Sequence, residues 1–350
     1  MKKLKKLIII IIFVFLATGY FYLCILAQPI TGKKHERIET VEVPSGMTVK
    51  TVTQELYKKK LIRNRSLFYL TARYPLLNFI LTGHCNELYL KSGLYRISTN
   101  MSTADIFNTF STGRQDYIRV SFPEGLTISL IAARLENAGV CSAQSFKTAT
   151  TDAKLLKKYT IPGASFEGYL FPDTYFLISE MDGSSVVIRM VDNFFIHIRN
   201  IPQLQNKTPQ QLNEKVILAS IVEREYRVDE EAPLIASVFE NRQSKNIGLY
   251  SCATIAYIIT EIEGKRHPDI ITYKDLQINS PYNTYKWAAL PPGAISNPGM
   301  VALRAVADPP KTNYYYFRLI DPETGRHVFS EKFSEHINQG NKLYTKKVSQ

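Results

Sequence analysis

Four cysteines in 350 residues leave little material for covalent or metal-based architecture. Cys24 falls inside an apolar run, and Cys85, Cys141 and Cys252 stand far apart with no metal-type spacing, so the last three cannot close a full disulfide set. Histidine is equally sparse: the six residues are scattered, with no His-x-x-x-His pair, and no Cys-x-x-Cys pair exists to hold zinc. Long basic helices and arginine-rich arms are also missing. The formal charge of +12 is spread over the chain, with short clusters at Lys33-Lys34, Lys58-Lys59-Lys60 and Lys346-Lys347. That balance argues against nucleic acid as a partner and suits anionic lipid head groups or an anionic cell-wall polymer. With 45% hydrophobic residues, wholesale disorder is excluded, and the length allows two or three domains with their own cores.

One long apolar run is present. Lys2, Lys3, Lys5 and Lys6 precede an uncharged stretch from Leu7 to Ala27, long enough at 1.5 Å per residue to cross a hydrocarbon core of ~30 Å. A cleavable signal peptide has a shorter apolar region, and Cys24-Ile-Leu-Ala27 is a poor cleavage site, so the stretch reads as an anchor. The lysines predict a cytoplasmic N-terminus, with everything after Gln28 on the far side of the membrane.

A local pattern repeats after the anchor. Val43-Pro-Ser-Gly-Met-Thr-Val49, followed by Val52 and Leu56, returns as Phe122-Pro-Glu-Gly-Leu-Thr-Ile128, followed by Ile131 and Leu135. In each copy a strand ends at Pro, Gly turns the chain, and Thr48 or Thr127 caps a helix. Ser102 and Asp105 have capping-box spacing and open another helix. Such strand-then-capped-helix units predict small α/β modules and resemble LysM domains, which bind glycan chains containing N-acetylglucosamine.

Farther along, the spacing predicts helices over 187–201, 209–227 and 232–243. Leu218-Ala-Ser-Ile-Val-Glu-Arg-Glu225 puts Glu223 on an apolar helical run, where desolvation raises a carboxyl pKa toward the working pH and lets it both give and take a proton. At ~100° per residue Glu223 shares a face with Val216, Ala219, Ser220 and Tyr226, while Glu225 points nearly the opposite way. Small Ala219 and Ser220 predict room above Glu223 for a bulky substrate, which favours it over Glu225. The alternative is a buried helix whose glutamates pair with Arg224, Arg227 or Arg242. The loops around Phe166–Tyr175, Ser280–Tyr285, Leu290–Gly293 and Asn297–Gly299 are rich in Pro, Gly, Asn and Tyr. Tyr282, Asn283 and Tyr285 beside Glu223 would suit a sugar, whose faces stack on rings and whose hydroxyls need paired donors and acceptors.

Together Ala219-Ser-Ile-Val-Glu-Arg-Glu225, Phe166-Glu-Gly-Tyr-Leu-Phe-Pro-Asp-Thr-Tyr175, Ser237-Val-Phe-Glu-Asn-Arg242, Tyr282-Asn-Thr-Tyr285 and Leu290-Pro-Pro-Gly-Ala-Ile295 resemble the motifs of the membrane-anchored endolytic murein transglycosylases, the MltG/YceG-like proteins. The resemblance runs from the anchor to about Leu343. It implies cleavage within peptidoglycan strands, with Glu223 in the position of the family's catalytic glutamate. It departs at Tyr250-Ser-Cys-Ala-Thr254, where Cys252 and Ala253 stand at the family's Asp and Pro; Ser251 and Thr254 are then the candidates to supply a missing hydrogen bond near the substrate.

The implied chemistry is a non-hydrolytic cleavage between N-acetylmuramic acid and N-acetylglucosamine that leaves a 1,6-anhydro end and needs no cofactor. Asn283 and Tyr285 could lend dipoles to the transition state, and Asp173 and Glu167 are alternative second carboxylates, although Glu167-Gly168 reads more simply as a packing turn. The implied fold is α+β: a cytoplasmic tail 1–6, a transmembrane anchor 7–27, a linker 28–40, a LysM-like module 41–115, a second small α/β module 116–154 and a mixed α/β catalytic domain 155–345. The implied partners are peptidoglycan strands, membrane lipid around the anchor and a peptidoglycan synthase, at the outer face of a bacterial cell membrane. A hydrolytic muramidase and a non-catalytic wall-binding anchor are the competing readings.

Overall fold

The computed structural model of the chain describes residues 2–31, 36–44, 46–83, 88, 90–91, 93–112 and 117–339. Lys33-Lys34, Ser45, Cys85, Lys346-Lys347 and the expected domain end at 345 lie outside the described residues. The chain forms two compact units that divide between Tyr117 and Ile118. The secondary structure is mixed, with three two-stranded antiparallel sheets among helices in the described residues.

The first unit opens with α1 (Lys2–Ala27), whose segment Ile10–Ala27 is long and apolar enough to cross a membrane. β1 (Ile38–Val43) then leads through α2 (Val49–Lys58), α3 (Arg65–Arg73) and α4 (Pro75–Thr82) to β2 (Gly93–Ser98), which pairs antiparallel with β1 so that Val41 lies opposite Tyr95. The helix α5 (Thr103–Thr112) follows. Period-two burial on β1 and a helical stripe on α2 send Val41, Val43, Val52 and Leu56 into one core with Phe68, Tyr95, Ile97, Phe107 and Phe110. Each fully buried side chain of this size contributes ~1.5–3 kcal/mol. Two edge-to-face ring pairs, Phe68 with Phe107 and Tyr95 with Phe110, both have centroids 4.8 Å apart. The segment after α1 is docked: the Ile30 and Thr31 N–H groups donate to the Thr99 carbonyl at 3.0 and 3.1 Å, and Arg63 Nε donates to the Pro29 carbonyl at 3.0 Å.

The second unit contains β3 (Ile118–Ser121), α6 (Ile128–Asn137), α7 (Ala143–Thr150), α8 (Ala153–Tyr159), β4 (Thr174–Leu177), α9 (Gly183–Ile198), α10 (Pro202–Gln205), α11 (Pro209–Val222), α12 (Ala232–Ser244), α13 (Cys252–Tyr257), α14 (Met300–Ala307), β5 (Tyr316–Asp321) and β6 (Arg326–Ser330). From Ile118 onward the expected separate module at 116–154 belongs to this unit: β3 pairs with β4, and α7 packs on α9. Sequence texture changed near 155, but strand pairing over a gap of about fifty residues cannot be seen in texture.

The repeated turn is real at the local level. Gly46 and Gly125 have φ of +83° and +76°, which glycine adopts without strain, and Thr48 and Thr127 cap α2 and α6 through the N–H groups of Thr51 and Leu130. The fates of the two copies differ, since the second turn borders Glu223.

α11 starts at a Thr208/Gln211 capping box with Pro209 in its first turn. From Val216 to Val222 every residue is buried, as expected of a helix that is apolar all round, and it packs against α12 and α14. It ends five residues before the expected end at Arg227.

Candidate active site

Glu223 is the C-cap of α11, and the backbone tightens immediately after it: the Arg224 and Glu225 N–H groups reach back only three residues, to Ile221 and Val222. The uniform helical wheel therefore fails for Glu225. Above Ala219 and Ser220 the structure places its own chain instead of free space. Ser220 Oγ accepts from the Ile295 N–H at 3.0 Å, and Ser296 Oγ donates to the Ser220 carbonyl at 3.0 Å. The small residues thus admit the 290–297 loop, a packing role that sequence cannot separate from room for substrate.

The Glu223 side chain is half-buried and held at both oxygens. Gly299, at the N-cap of α14, donates its N–H to Oε2 at 2.9 Å, and the Tyr226 hydroxyl donates to Oε1 at 3.1 Å. Burial pushes the carboxyl up to about 7; the Gly299 and Tyr226 hydrogen bonds pull it down, and the negative charges of Glu124 and Asp229 push it up again. Burial beside Glu223 also raises the Tyr226 phenol, which keeps it a neutral donor. Glu124 is the residue that sequence reasoning passed over. It is exposed, and its stem rests on Gly299 so closely that a methyl group there would overlap Glu124 Cγ. Its signal in the sequence is its place in the Pro-Glu-Gly turn, which an assignment of 116–154 to a separate module hides.

One residue ties the three loops of the site together. Asn297 Oδ1 accepts from the Gly168 and Leu170 N–H groups, both at 2.9 Å, while Nδ2 donates to the Leu126 carbonyl at 3.0 Å and to Glu167 Oε1 at 2.7 Å. Its backbone bonds Leu126 and Gly125 as well, each at 2.9 Å. Glu167 is buried there, raised to about 8 chiefly by desolvation, and accepts from the Ile128 N–H. It serves as a clamp on the Glu124 turn, not as a second carboxylate facing substrate. Gly168, at φ +91°, packs where any side chain would meet Val216 and Ala294, in keeping with the packing turn read from Glu167-Gly168. Asp173 is occupied as well, accepting from Asn193 Nδ2 at 3.0 Å.

The remaining candidates divide by burial. Asn283 is buried and spends its amide inside its own loop, donating to the Leu276 and Ile278 carbonyls at 3.0 and 2.8 Å and accepting from the Tyr285 N–H at 2.9 Å. Its dipole is not available to a transition state. Thr254 is also buried, donating to the Ser251 carbonyl at 2.8 Å and bonded to Thr284 Oγ1 at 2.9 Å. Ser251 is buried and donates to the Glu225 carboxylate. Both hydroxyls are engaged inside the protein, that of Ser251 on Glu225 and that of Thr254 on the Ser251 carbonyl and Thr284. Burial raises the Glu225 pKa, while the Ser251 hydrogen bond and the nearby Arg242 charge lower it, so this carboxylate is the structural one of the pair. Tyr282 and Tyr285 are partly exposed; Tyr285 lies 5.6 Å from the Tyr250 ring and its hydroxyl is 3.0 Å from Cys252 Sγ. Tyr250 has φ +48°, a left-handed conformation costly for a bulky residue and often found beside functional sites. Cys141 and Cys252 are free thiols.

A family model described as the YceG-like family matches residues 41–342. The chain belongs to the YceG-like family. It is 27% identical to the endolytic murein transglycosylase of Bacillus subtilis (strain 168), covering 92% of this chain and 89% of the relative. It is 28% identical to the protein of the same name from Streptococcus pneumoniae (strain ATCC BAA-255 / R6), covering 91% of this chain and 60% of that one. A crystal structure of a YceG-like protein from Listeria monocytogenes superimposes with a TM-score of 0.56 at 30% identity, over 87% of this chain and 99% of the other. Family membership agrees with the resemblance carried by the five motifs.

Proposed function

We propose that this chain is an endolytic peptidoglycan lytic transglycosylase that cuts the bond between N-acetylmuramic acid and N-acetylglucosamine and leaves 1,6-anhydro ends. The observation that carries the reading is a half-buried Glu223 whose carboxyl is raised to about 7, so that protonated and ionised forms are both accessible near neutral pH. Relatives named endolytic murein transglycosylase over about nine-tenths of the chain support it.

In the proposed reaction Glu223 donates its proton to the glycosidic oxygen as the C1–O bond breaks. The resulting carboxylate then removes the proton of the muramyl C6 hydroxyl, whose oxygen bonds to C1. The proton lost in the first step is regained in the second, and no water is consumed. Gly299 N–H and Tyr226 O–H stabilise the transient carboxylate. Glu124, beside them, opposes ionisation of Glu223 and offers negative charge to an oxocarbenium-like centre. Tyr285 and Tyr282 are proposed sugar contacts.

The same reading places α1 across a bacterial cell membrane with its N-terminus cytoplasmic and the rest of the chain on the outer face. The first unit runs strand–helix–helix–helix–strand with its two strands antiparallel, one helix more than two capped helices between paired strands would need, and the paired strands with α2 and α3 support a LysM-like glycan-binding role. A groove of about 470 Å³ bordered by Lys50, Gln54, Arg65 and Tyr69 is consistent with an anionic polymer there. A glycan polymerase that extrudes new strands at the membrane is the proposed partner. The test is mass spectrometry of fragments after incubating the protein with isolated peptidoglycan. Anhydro ends are expected; ordinary reducing ends would make the protein a muramidase, and binding without cleavage would make it a wall-binding anchor.

A further inference from the structure

Helix α4, Pro75-Leu-Leu-Asn-Phe-Ile-Leu-Thr82, has its polarity reversed relative to a helix that serves a water-soluble surface. Its buried residue is Asn78, whose side-chain and backbone oxygens accept from the Thr82 hydroxyl. Its large apolar residues face outward: Leu76 is 73% exposed, Phe79 53% and Ile80 44%, with Tyr74 at 57% just before the helix. No charged residue lies between Tyr74 and Gly83, and exposed Arg73 stands at the edge of the patch. Left in water, such a patch costs free energy at every exposed side chain.

The position of α4 names what covers it. α3 and α4 both pack beside α1, the membrane-crossing candidate. The connection is short: three residues after Ala27, at the end of the apolar segment, Ile30 is already bonded to Thr99, a reach of at most ~10 Å. A unit tied that closely to the end of a span stands against the interfacial layer, which is ~5–8 Å thick on each side of the hydrocarbon core, so that a helix on its membrane-facing side can enter it. α4, with eight residues, spans ~12 Å and is too short to cross. An apolar outward face, a flanking tyrosine and an arginine able to reach head groups are the features of a helix lying in that layer.

We infer that α4 is an interfacial helix that embeds Leu76, Phe79 and Ile80 in the same leaflet from which α1 emerges, so that the first unit is held against the bilayer at two points. This rests on the anchor reading of α1. Because α1 already confines the unit to the surface, even weak partitioning of α4 suffices to fix its orientation.

The test uses the full-length chain with Trp287→Phe, which removes its one tryptophan, reconstituted in phosphatidylcholine–phosphatidylglycerol vesicles with brominated acyl chains. Leu76→Trp or Phe79→Trp should emit to the blue and be quenched by the bromines within about two-fold of Phe15→Trp on α1, since both depths lie within the apolar boundary. Both substitutions fall on exposed positions, and a thermal melt verifies the fold. Quenching at Phe15→Trp without quenching at Leu76→Trp overturns the inference and leaves the anchor standing. Quenching at neither position overturns both. A blue shift at Leu76→Trp that bromine does not quench would mean that protein covers the patch, which also overturns it.

Discussion

The Gly299 N–H donates to Glu223 Oε2 at 2.9 Å, joining the N-terminus of α14 to the C-terminus of α11 through the proposed acid. A positive helix end favours the carboxylate, while burial and Glu124 favour the acid, and the opposing effects leave the group at about 7. A general acid that must next act as a base is served by that balance.

Replacing Glu223 by Gln keeps size and hydrogen bonding but removes the proton, and cleavage should fall ~10²–10⁴-fold. Stability should move the other way. The folded pKa, about 7, lies above the ordinary 4.5, so the acid form is the one the fold prefers; the stability it contributes is complete below the unfolded pKa and is lost as pH rises through 7. Glu223→Gln should therefore raise the unfolding free energy at pH 8 by up to ~3 kcal/mol and leave it unchanged at pH 4. Denaturant titrations at the two pH values would expose the error if the gain were equal at both.

Glu124→Gln removes a charge that opposes ionisation of Glu223. Activity should decline with rising pH at the Glu223 pKa, and in Glu124→Gln that alkaline limb should move to lower pH by up to about one unit. A purely structural role for Glu124 would lower the rate at every pH without moving the limb.

Asn297→Ala breaks four side-chain hydrogen bonds and leaves the buried Gly168 and Leu170 N–H groups without their partner, while Glu167 keeps the Ile128 N–H. Each unsatisfied buried group costs ~1–3 kcal/mol, so a loss of at least ~2 kcal/mol is expected, together with a lower rate as the Gly299 loop loosens. Urea denaturation measures the first effect. Full stability in Asn297→Ala would show that the three loops hold without the hub.

Thr254→Val should lower stability by ~1–3 kcal/mol, because its hydroxyl bridges the Ser251 carbonyl and Thr284 inside the turn. The rate per folded molecule should change little. Cys252→Ser should be neutral in both respects, since the thiol is exposed and free, and its neighbour is the Tyr285 hydroxyl. Thermal melts, rates normalised to folded protein and a free-thiol titration separate these outcomes from a reactive or paired Cys252.

The parts legible in sequence are those governed by local chemistry. Leu7 to Ala27 is an uncharged run, and hydrocarbon length alone makes it an anchor candidate. Thr48, Thr127 and Ser102 start helices because a side-chain oxygen satisfies a nearby N–H, a bond within three residues. Glu223 stood out because an acid on an apolar run is costly unless it is used. What tertiary structure alone decided depends on contacts across long sequence separations. Glu124 meets the site because Asn297 bonds Leu126 and Gly125 across about 170 residues, and no periodicity encodes such a bond. Ser220 receives a loop instead of a ligand for the same reason. Asn283, Ser251 and Thr254 have the residue types of sugar contacts, but burial turned their hydrogen bonds inward, since a polar side chain shows its type in sequence and its partner only in the fold.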